Sequence, residues 1–202
     1  MVKDSNTENR IVEAARRVFL EKGMAGARMQ EIADEAGINK ALLHYYFRSK
    51  EKLFEHIFQE IVMRISSGLK DIFVRDMTVL ERLNSIVDVY VDILLENRYM
   101  PLFVLNEMNQ NPERFVCLLQ EHVIIHMKSL FEQIQEEVHL GKIKQVHPAH
   151  LLLHVLGLII FPFAAYPLIT KIAQEEFKPF LMNFLNDRKK TVKQFITDAL
   201  TP

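Results

Sequence analysis

Met29-Gln-Glu-Ile-Ala-Asp-Glu-Ala-Gly-Ile-Asn-Lys-Ala-Leu-Leu-His-Tyr-Tyr-Phe47 is the stretch on which the reading of this chain turns. Its apolar spacing predicts two short helices, roughly Met29 to Ala36 and Asn39 or Lys40 to about Phe47, with a turn at Gly37. Ile32, Ala33 and Ala36 form the apolar side of the first. Helices that cross steeply at close range need a small residue at the contact, and Ala33 supplies it. A turn of three or four residues needs one position free of side-chain penalty, and Gly37 supplies that. Ile38, Leu43 and Phe47 then fasten the second helix in place. Its other face carries Lys40, Ala41, Leu42, His44 and Tyr45. Small, aromatic and basic groups on one helix suit a major groove, which admits a single α-helix.

Helical signals continue on both sides of this stretch. Upstream, Ser5 followed by Glu8 predicts a capping box, and Ile11, Ala15, Val18 and Phe19 recur at helical spacing. Gly23, just past Lys22, is placed to close that helix. Downstream, Ser49 is the expected N-cap of a long helix carrying Phe54, Ile57, Phe58, Ile61, Ile65, Leu69 and Ile72. Thr78 and Glu81 form a second capping box, and Pro101 suits the first turn of a short helix. Asn111 and Pro112 open a helix reaching about Leu140, stopped by Gly141. His147 and Pro148 open the next, and a last amphipathic helix covers roughly Phe184 to Leu200. No stretch alternates with period two, and no repeat or low-complexity tract interrupts the pattern. The chain reads as all-α.

Composition agrees. Of 202 residues, 49% are hydrophobic and 25% charged, too apolar for disorder and too charged for a protein of many membrane spans. Six glycines and seven prolines are too few for a turn-rich β fold. A single cysteine, Cys117, excludes an internal disulfide framework and fits a reducing compartment. No charged-then-apolar leader with a small-residue cleavage site opens the chain, so the expected address is the cytoplasm. Net charge is −1, but its distribution is uneven. Residues 1–53 hold ten Lys/Arg and eight Asp/Glu, leaving fifteen and eighteen for the remainder. Between residues 36 and 54 the only acid is Glu51, against Lys40, Arg48, Lys50 and Lys52. That is a small positive patch in a neutral protein.

The stretch from Met29 to Phe47, followed by Arg48-Ser-Lys-Glu-Lys-Leu-Phe54, resembles the DNA-binding domain of TetR-family transcriptional regulators. Phe19, Lys22 and Gly23 also fall where that family ends its first helix. The resemblance covers residues 7–55, about a quarter of the chain. It implies a helix-turn-helix domain over 1–55 and a helical effector-binding and dimerisation domain over 56–202. It also implies that Arg28 and Met29, at the entry to the second helix, touch phosphate. The recognition helix, Asn39, Lys40, Ala41, Leu42, His44, Tyr45 and Tyr46, would read bases and nearby phosphates, with Lys40 foremost. His44, Tyr46 and Lys50 stand where the family contacts the DNA backbone. Two positions depart from the family: Arg28 replaces a usual Thr or Ser, and His44 a common tyrosine.

In the family, the second domain dimerises and encloses a small effector. Fourteen phenylalanines and nine methionines are ample for an adaptable apolar cavity. The expected lining residues are Tyr90, Leu94, Phe103, Met108, Phe115, Leu119, His122, Phe161 and Tyr166. The same residues at helical spacing also suit plain core. The run from Leu151 to Ile169 is long enough to suggest a bilayer span, but His154, Pro162 and Pro167 interrupt it. Burial between protein surfaces fits it better, and with the final helix it would form a dimer interface. A homodimer suits palindromic operator DNA, whose half-sites lie about 34–36 Å apart.

His122 and His126 are four apart, as are His150 and His154, so each pair faces one way and can share a metal. Neither has a third ligand close in sequence. No metal site or cofactor is therefore expected, and Cys117 reads as a buried, inert thiol. No phosphate loop, nucleophile elbow or zinc-protease spacing marks an enzyme. The reading is a ligand-responsive repressor binding double-stranded operator DNA as a homodimer, released by a small hydrophobic effector and not membrane-bound. The alternative is a helical carrier or partner-binding protein, which would leave the helix-turn-helix motif without a purpose.

Overall fold

The computed structural model describes residues 4–96, 100–110, 112–113, 116, 120, 124–172 and 183–202. Among these there is no strand. The helices are α1 (Ser5–Gly26), α2 (Met29–Glu35), α3 (Lys40–Tyr46), α4 (Lys50–Val74), α5 (Val79–Glu96), α6 (Met100–Gln110), α7 (Ile124–His139), α8 (Pro148–Ile172) and α9 (Arg188–Leu200).

Most helix boundaries sit where the capping chemistry puts them. Ser49 Oγ accepts from the Lys52 amide at 3.3 Å and starts α4. Thr78 and Glu81 close their box, with Glu81 Oε2 accepting from Thr78 N at 2.9 Å and Thr78 Oγ1 from Glu81 N at 3.3 Å. The Thr78 amide and hydroxyl together hold the Glu81 carboxyl below the usual range. Gly23, Gly37 and Gly141 all adopt positive φ at helix ends.

Two expectations need correction. The N-cap of α1 is Asp4, not Ser5: its carboxylate accepts from Asn6 N and from Thr7 Oγ1, both at 3.1 Å. An anionic cap one residue earlier prevails over a hydroxyl. Gly23, at φ 67° and ψ 171°, interrupts the helical backbone where the sequence places the end of the helix, and beyond this kink one further turn runs to Gly26 before the Ala27 amide donates back to Gly23 O. The last helix begins at Arg188, because the chain turns through 185–187 after Phe184. Of the expected helix from Asn111 to Leu140, Asn111 and much of 114–123 lie outside the described residues.

Two cores form, and α4 belongs to both. In the head, Ile11, Ala15 and Phe19 of α1 pack with Ile32 and Ala33 of α2, Leu43 of α3, and Leu53, Phe54, Ile57, Phe58 and Val62 of α4. The head's packing thus runs past residue 55 into the fourth turn of α4. In the body, Leu69 and Ile72 of α4 join Leu83, Val87 and Val91 of α5, Ile134 of α7, Val155, Ile159 and Phe163 of α8, and Val192 and Ile196 of α9. Lys189–Asp92 at 2.6 Å and Lys193–Asp88 at 2.5 Å lace α9 to α5.

Two features fix α4 in the body. A Cβ at Gly68 would lie 2.6 Å from Val89 Cγ1, so α4 and α5 approach too closely there for any side chain. At its end, the buried Arg82 donates to the carbonyls of Ile72 at 2.5 Å and Arg75 at 3.1 Å, and to Gln133 Oε1 at 2.9 Å. A guanidinium there answers both the unpaired carbonyls and the negative end of the helix dipole. The buried Glu137 completes this network, accepting from Val79 N at 2.9 Å and Gln133 Nε2 at 3.1 Å.

Candidate nucleic-acid interface

The turn between α2 and α3 is built from both sides. Gly37 has φ +64°, in the left-handed region that side chains avoid. Across from it, Arg10 Nη2 on α1 donates to Ala36 O at 2.6 Å and to Gly37 O at 3.4 Å. These are the carbonyls that α2 leaves unpaired at its end. Asn39 then caps α3, its Oδ1 accepting from Leu42 N at 2.8 Å. Leu43 is fully buried and Phe47 nearly so, which pins α3 against the head core.

The opposite face of α3 stays open. Lys40, Ala41, His44 and Tyr45 are exposed and Leu42 is half-buried. Tyr46 is different: its ring is 8% exposed, its hydroxyl accepts from the Asp4 amide at 2.8 Å and donates to the Asp4 carbonyl at 3.3 Å. In this structure Tyr46 joins the start of α1 to α3. His44 sits with Nδ1 3.1 Å from the Arg48 carbonyl. A carbonyl only accepts, so Nδ1 carries the hydrogen and Nε2 faces outward. Only the protonated ring can then donate to a phosphate.

At the entry to α2, Arg28 occupies the N-cap without a side-chain capping bond. Glu31 does the capping, accepting from Arg28 N at 3.2 Å and from Lys22 Nζ at 3.0 Å. The Lys22 ammonium, with the Arg28 amide, holds the Glu31 carboxyl below its usual range. Arg28 and Met29 thus stand at a helix start, with Arg28 exposed and Met29 half-buried. Lys50 Nζ donates to Ala27 O at 3.1 Å, which seats the start of α4 against the start of α2. This brings Arg48 and Arg28 to the same end of the head.

Besides Arg10 and Lys50, which bond backbone carbonyls, some cations of the head are paired with acids and others are not. Arg16 pairs with Glu13 at 2.8 Å and Glu60 at 3.0 Å, Arg17 with Glu35 at 2.7 Å, and Lys22 with Glu31. Arg28, Lys40 and Arg48 are exposed, and among the described residues their charged ends make no hydrogen bond or ion pair. The uncompensated charge of the head is concentrated around α2 and α3, where a polyanion would dock. Two contributors escape a reading of the sequence by motif. Arg48 carried a signal, since it lies in the acid-poor run from 36 to 54. Arg10 carried none, because its partners are 26 and 27 residues away.

The residues expected around an effector are not brought together in the same way. Leu94 is buried, and Tyr90 and Tyr166 pack half-buried against the body core. Desolvation pushes the Tyr90 phenol up to about 12. Met108 is 39% exposed. Phe161 is 69% exposed, on the side of α8 away from the body core. Because α8 is apolar all round, its sequence gives no direction to the core. The side chain of Phe103, and all of Phe115, Leu119 and His122, lie outside the described residues. A cleft of about 350 Å³ opens elsewhere, between head and body, bordered by Arg16, Glu60, Ile61, Arg64, Ile93 and Met100.

Comparison with known proteins places this geometry. Residues 11–57 match the family model described as bacterial regulatory proteins, tetR family. The chain is similar to the HTH-type transcriptional regulator PksA of Bacillus subtilis, 36% identical over 77 residues, spanning 38% of either chain. It is also similar to the probable HTH-type transcriptional regulator YttP of the same organism, 25% identical over 170 residues, covering 83% of this chain and 82% of that one. Among solved structures, the ketosteroid transcriptional regulator KstR2 of Mycobacterium tuberculosis shares the fold at a TM-score of 0.75 and 15% identity, over 99% of this chain and 97% of that one. The transcriptional regulator FadR from Bacillus subtilis, solved in complex with stearoyl-CoA, does so at 0.64 and 17%, over 93% and 96%. With the open recognition helix, the matched head and the shared all-α architecture taken together, the chain belongs to the tetR family of DNA-binding transcription regulators.

Proposed function

We propose that the chain is a homodimeric repressor that binds a palindromic operator through α3 and is released by a small hydrophobic effector. The observation that carries this reading is the recognition helix itself. It presents Lys40, Ala41, His44 and Tyr45 outward, while α4 couples its support directly to the body core. Base contacts fall to the α3 face, and phosphate contacts to Arg28, Lys40 and Arg48.

Dimerisation is supported by what α8 and α9 leave uncovered. Leu153, Phe161, Leu168 and Ile172 on α8 are 61–70% exposed, and Phe195 on α9 is 58% exposed. Large side chains in one such patch suit a second copy. An apolar effector agrees with a fold neighbour solved with stearoyl-CoA. The effector acts by its differential affinity for the DNA-competent and incompetent states, and by no more than that.

The test is selection of bound sequences from a random duplex pool at fixed moderate salt, with the dimer verified by sedimentation. Enrichment of a palindrome is the expected result. A folded dimer that enriches nothing defeats the reading and favours the carrier alternative.

A further inference from the structure

Three histidines lie in file on the outer surface of α8 and its lead-in. His147 precedes the helix, and His150 and His154 follow on its first two turns. All three are exposed. The His147 and His150 rings meet edge to face, with centroids 5.5 Å apart, and those of His150 and His154 are 6.2 Å apart and tilted by 36°. Nothing in the DNA-binding head or the body core uses them.

Spacing alone leaves an i,i+4 pair of histidines ambiguous between core and surface. The structure removes that ambiguity for this pair. Both rings are on one face, exposed in the single chain, near one another, and anchored on backbone that the helix holds rigid. We propose that His150 and His154 form a two-imidazole site for a divalent transition metal of the borderline class, such as Zn²⁺, Ni²⁺ or Cu²⁺. Neutral imidazole is a favoured ligand for these ions. With Zn–N bonds of about 2.0–2.1 Å on each side, a small side-chain rotation closes both rings onto one ion. The helix has already fixed the two Cα positions, so little is lost in ordering beyond the side-chain rotamers.

The neighbourhood defines how complete this site is. Among the described residues, no three His, Cys, Asp or Glu side chains converge as a metal cage. His147 touches the His150 ring without completing a three-ligand set with His154. The chain therefore supplies two ligands, and water fills the remaining positions. Such a site is exchangeable rather than structural, and the fold forms without it. Exposed Leu153 lies between the two ligands in sequence, on the patch assigned above to a second copy. His150 and His154 share that side of α8 with Phe161, Leu168 and Ile172, so the site borders the patch.

The experiment is titration of tag-free protein with Zn²⁺ in a non-chelating buffer, followed calorimetrically. The expected result is one ion per chain, with affinity reduced about tenfold or more in His150→Gln and in His154→Gln. His139→Gln, on α7, serves as the control and leaves the binding unchanged. Affinity also falls as pH is lowered, since imidazole must be neutral to ligate. Circular dichroism and sedimentation of each variant establish that fold and assembly persist. Absence of Zn²⁺ binding by the folded wild-type chain, or binding that both His150→Gln and His154→Gln retain in full, overturns the site.

Discussion

Arg188 donates from Nη2 to the carbonyl of Leu158 at 2.6 Å, and that carbonyl is the one whose helical donor is missing because residue 162 is proline. In an α-helix the amide of residue 162 would serve the oxygen of residue 158, and proline has no such hydrogen. A side chain from the following helix, 30 residues on, fills the place. Burial lowers the Arg188 pKa, and its guanidinium also lies over the Phe184 ring at 5.6 Å. Arg188→Met should cost about 1–3 kcal/mol by stranding the oxygen. In a Pro162→Ala background the helix recovers its own donor, and the same change should cost less. Urea melts of the four proteins at one fixed protein concentration measure the coupling, and strict additivity would show that the two residues act independently.

Gly68 gives a second coupled pair. Replacing a helical glycine with alanine ordinarily gains up to about 1 kcal/mol. Here the new methyl meets Val89 Cγ1 at 2.6 Å, and overpacking of this kind costs about 1–3 kcal/mol. Gly68→Ala should be net destabilising. With Val89→Ala added, the double variant should recover stability relative to Gly68→Ala alone. Thermal melts of single and double variants separate steric approach from backbone flexibility.

Lys40 should act on DNA without acting on the fold, since it is exposed and unpaired among the described residues. If it neutralises one phosphate per protomer, Lys40→Ala flattens the plot of log affinity against log salt by about 0.9 for each phosphate no longer neutralised. Lys50→Ala is a less clean probe, because Lys50 also holds the Ala27 carbonyl. It should weaken DNA binding and lower head stability together. Fluorescence anisotropy across a salt series, with melting curves beside it, distinguishes the two patterns.

The capping carboxylate of α2 predicts an acid limb in the stability of the head. The folded-state pKa of Glu31 is lowered, so its contribution is present above the unfolded pKa and is lost as pH falls through the folded value. Glu31→Gln should remove that limb while leaving the neutral-pH fold intact. Circular dichroism melts from neutral pH downward compare the two. Parallel curves would assign the cap to something other than the Glu31 charge.

Legibility in the sequence followed the range of the interactions involved. Asn39, Ser49 and Thr78 cap helices through partners three residues away, and a reader of the sequence can find such contacts. The same local grammar pointed to the wrong residue at the first helix, where Asp4 and not the expected Ser5 is the cap. Contacts across the fold left no mark: Arg10 on the Gly37 turn, Arg82 on the end of α4, and Arg188 on Leu158. Direction was the other blind spot. A helix apolar on every side, such as α8, reports that it is covered but not which side faces inward, so the sequence does not separate the exposed Phe161 from the buried Phe163. The exposed face of α3 was readable because a motif fixed its register, whereas no motif fixed an effector pocket.

The close approach of α4 to α5 at Gly68 gives the long helix a fulcrum. Arg82 holds the short arm beyond it, and the long arm extends 18 residues to Lys50, about 27 Å at 1.5 Å per residue. On that geometry a tilt of about 6° at the crossing carries the base of the head through about 3 Å. That is the length of the hydrogen bonds by which phosphates are gripped, about 2.9 Å. Under the function proposed above, a repacking in the body too small to disturb its core would be magnified, by leverage alone, into the difference between a head in register with DNA and one that has lost its grip.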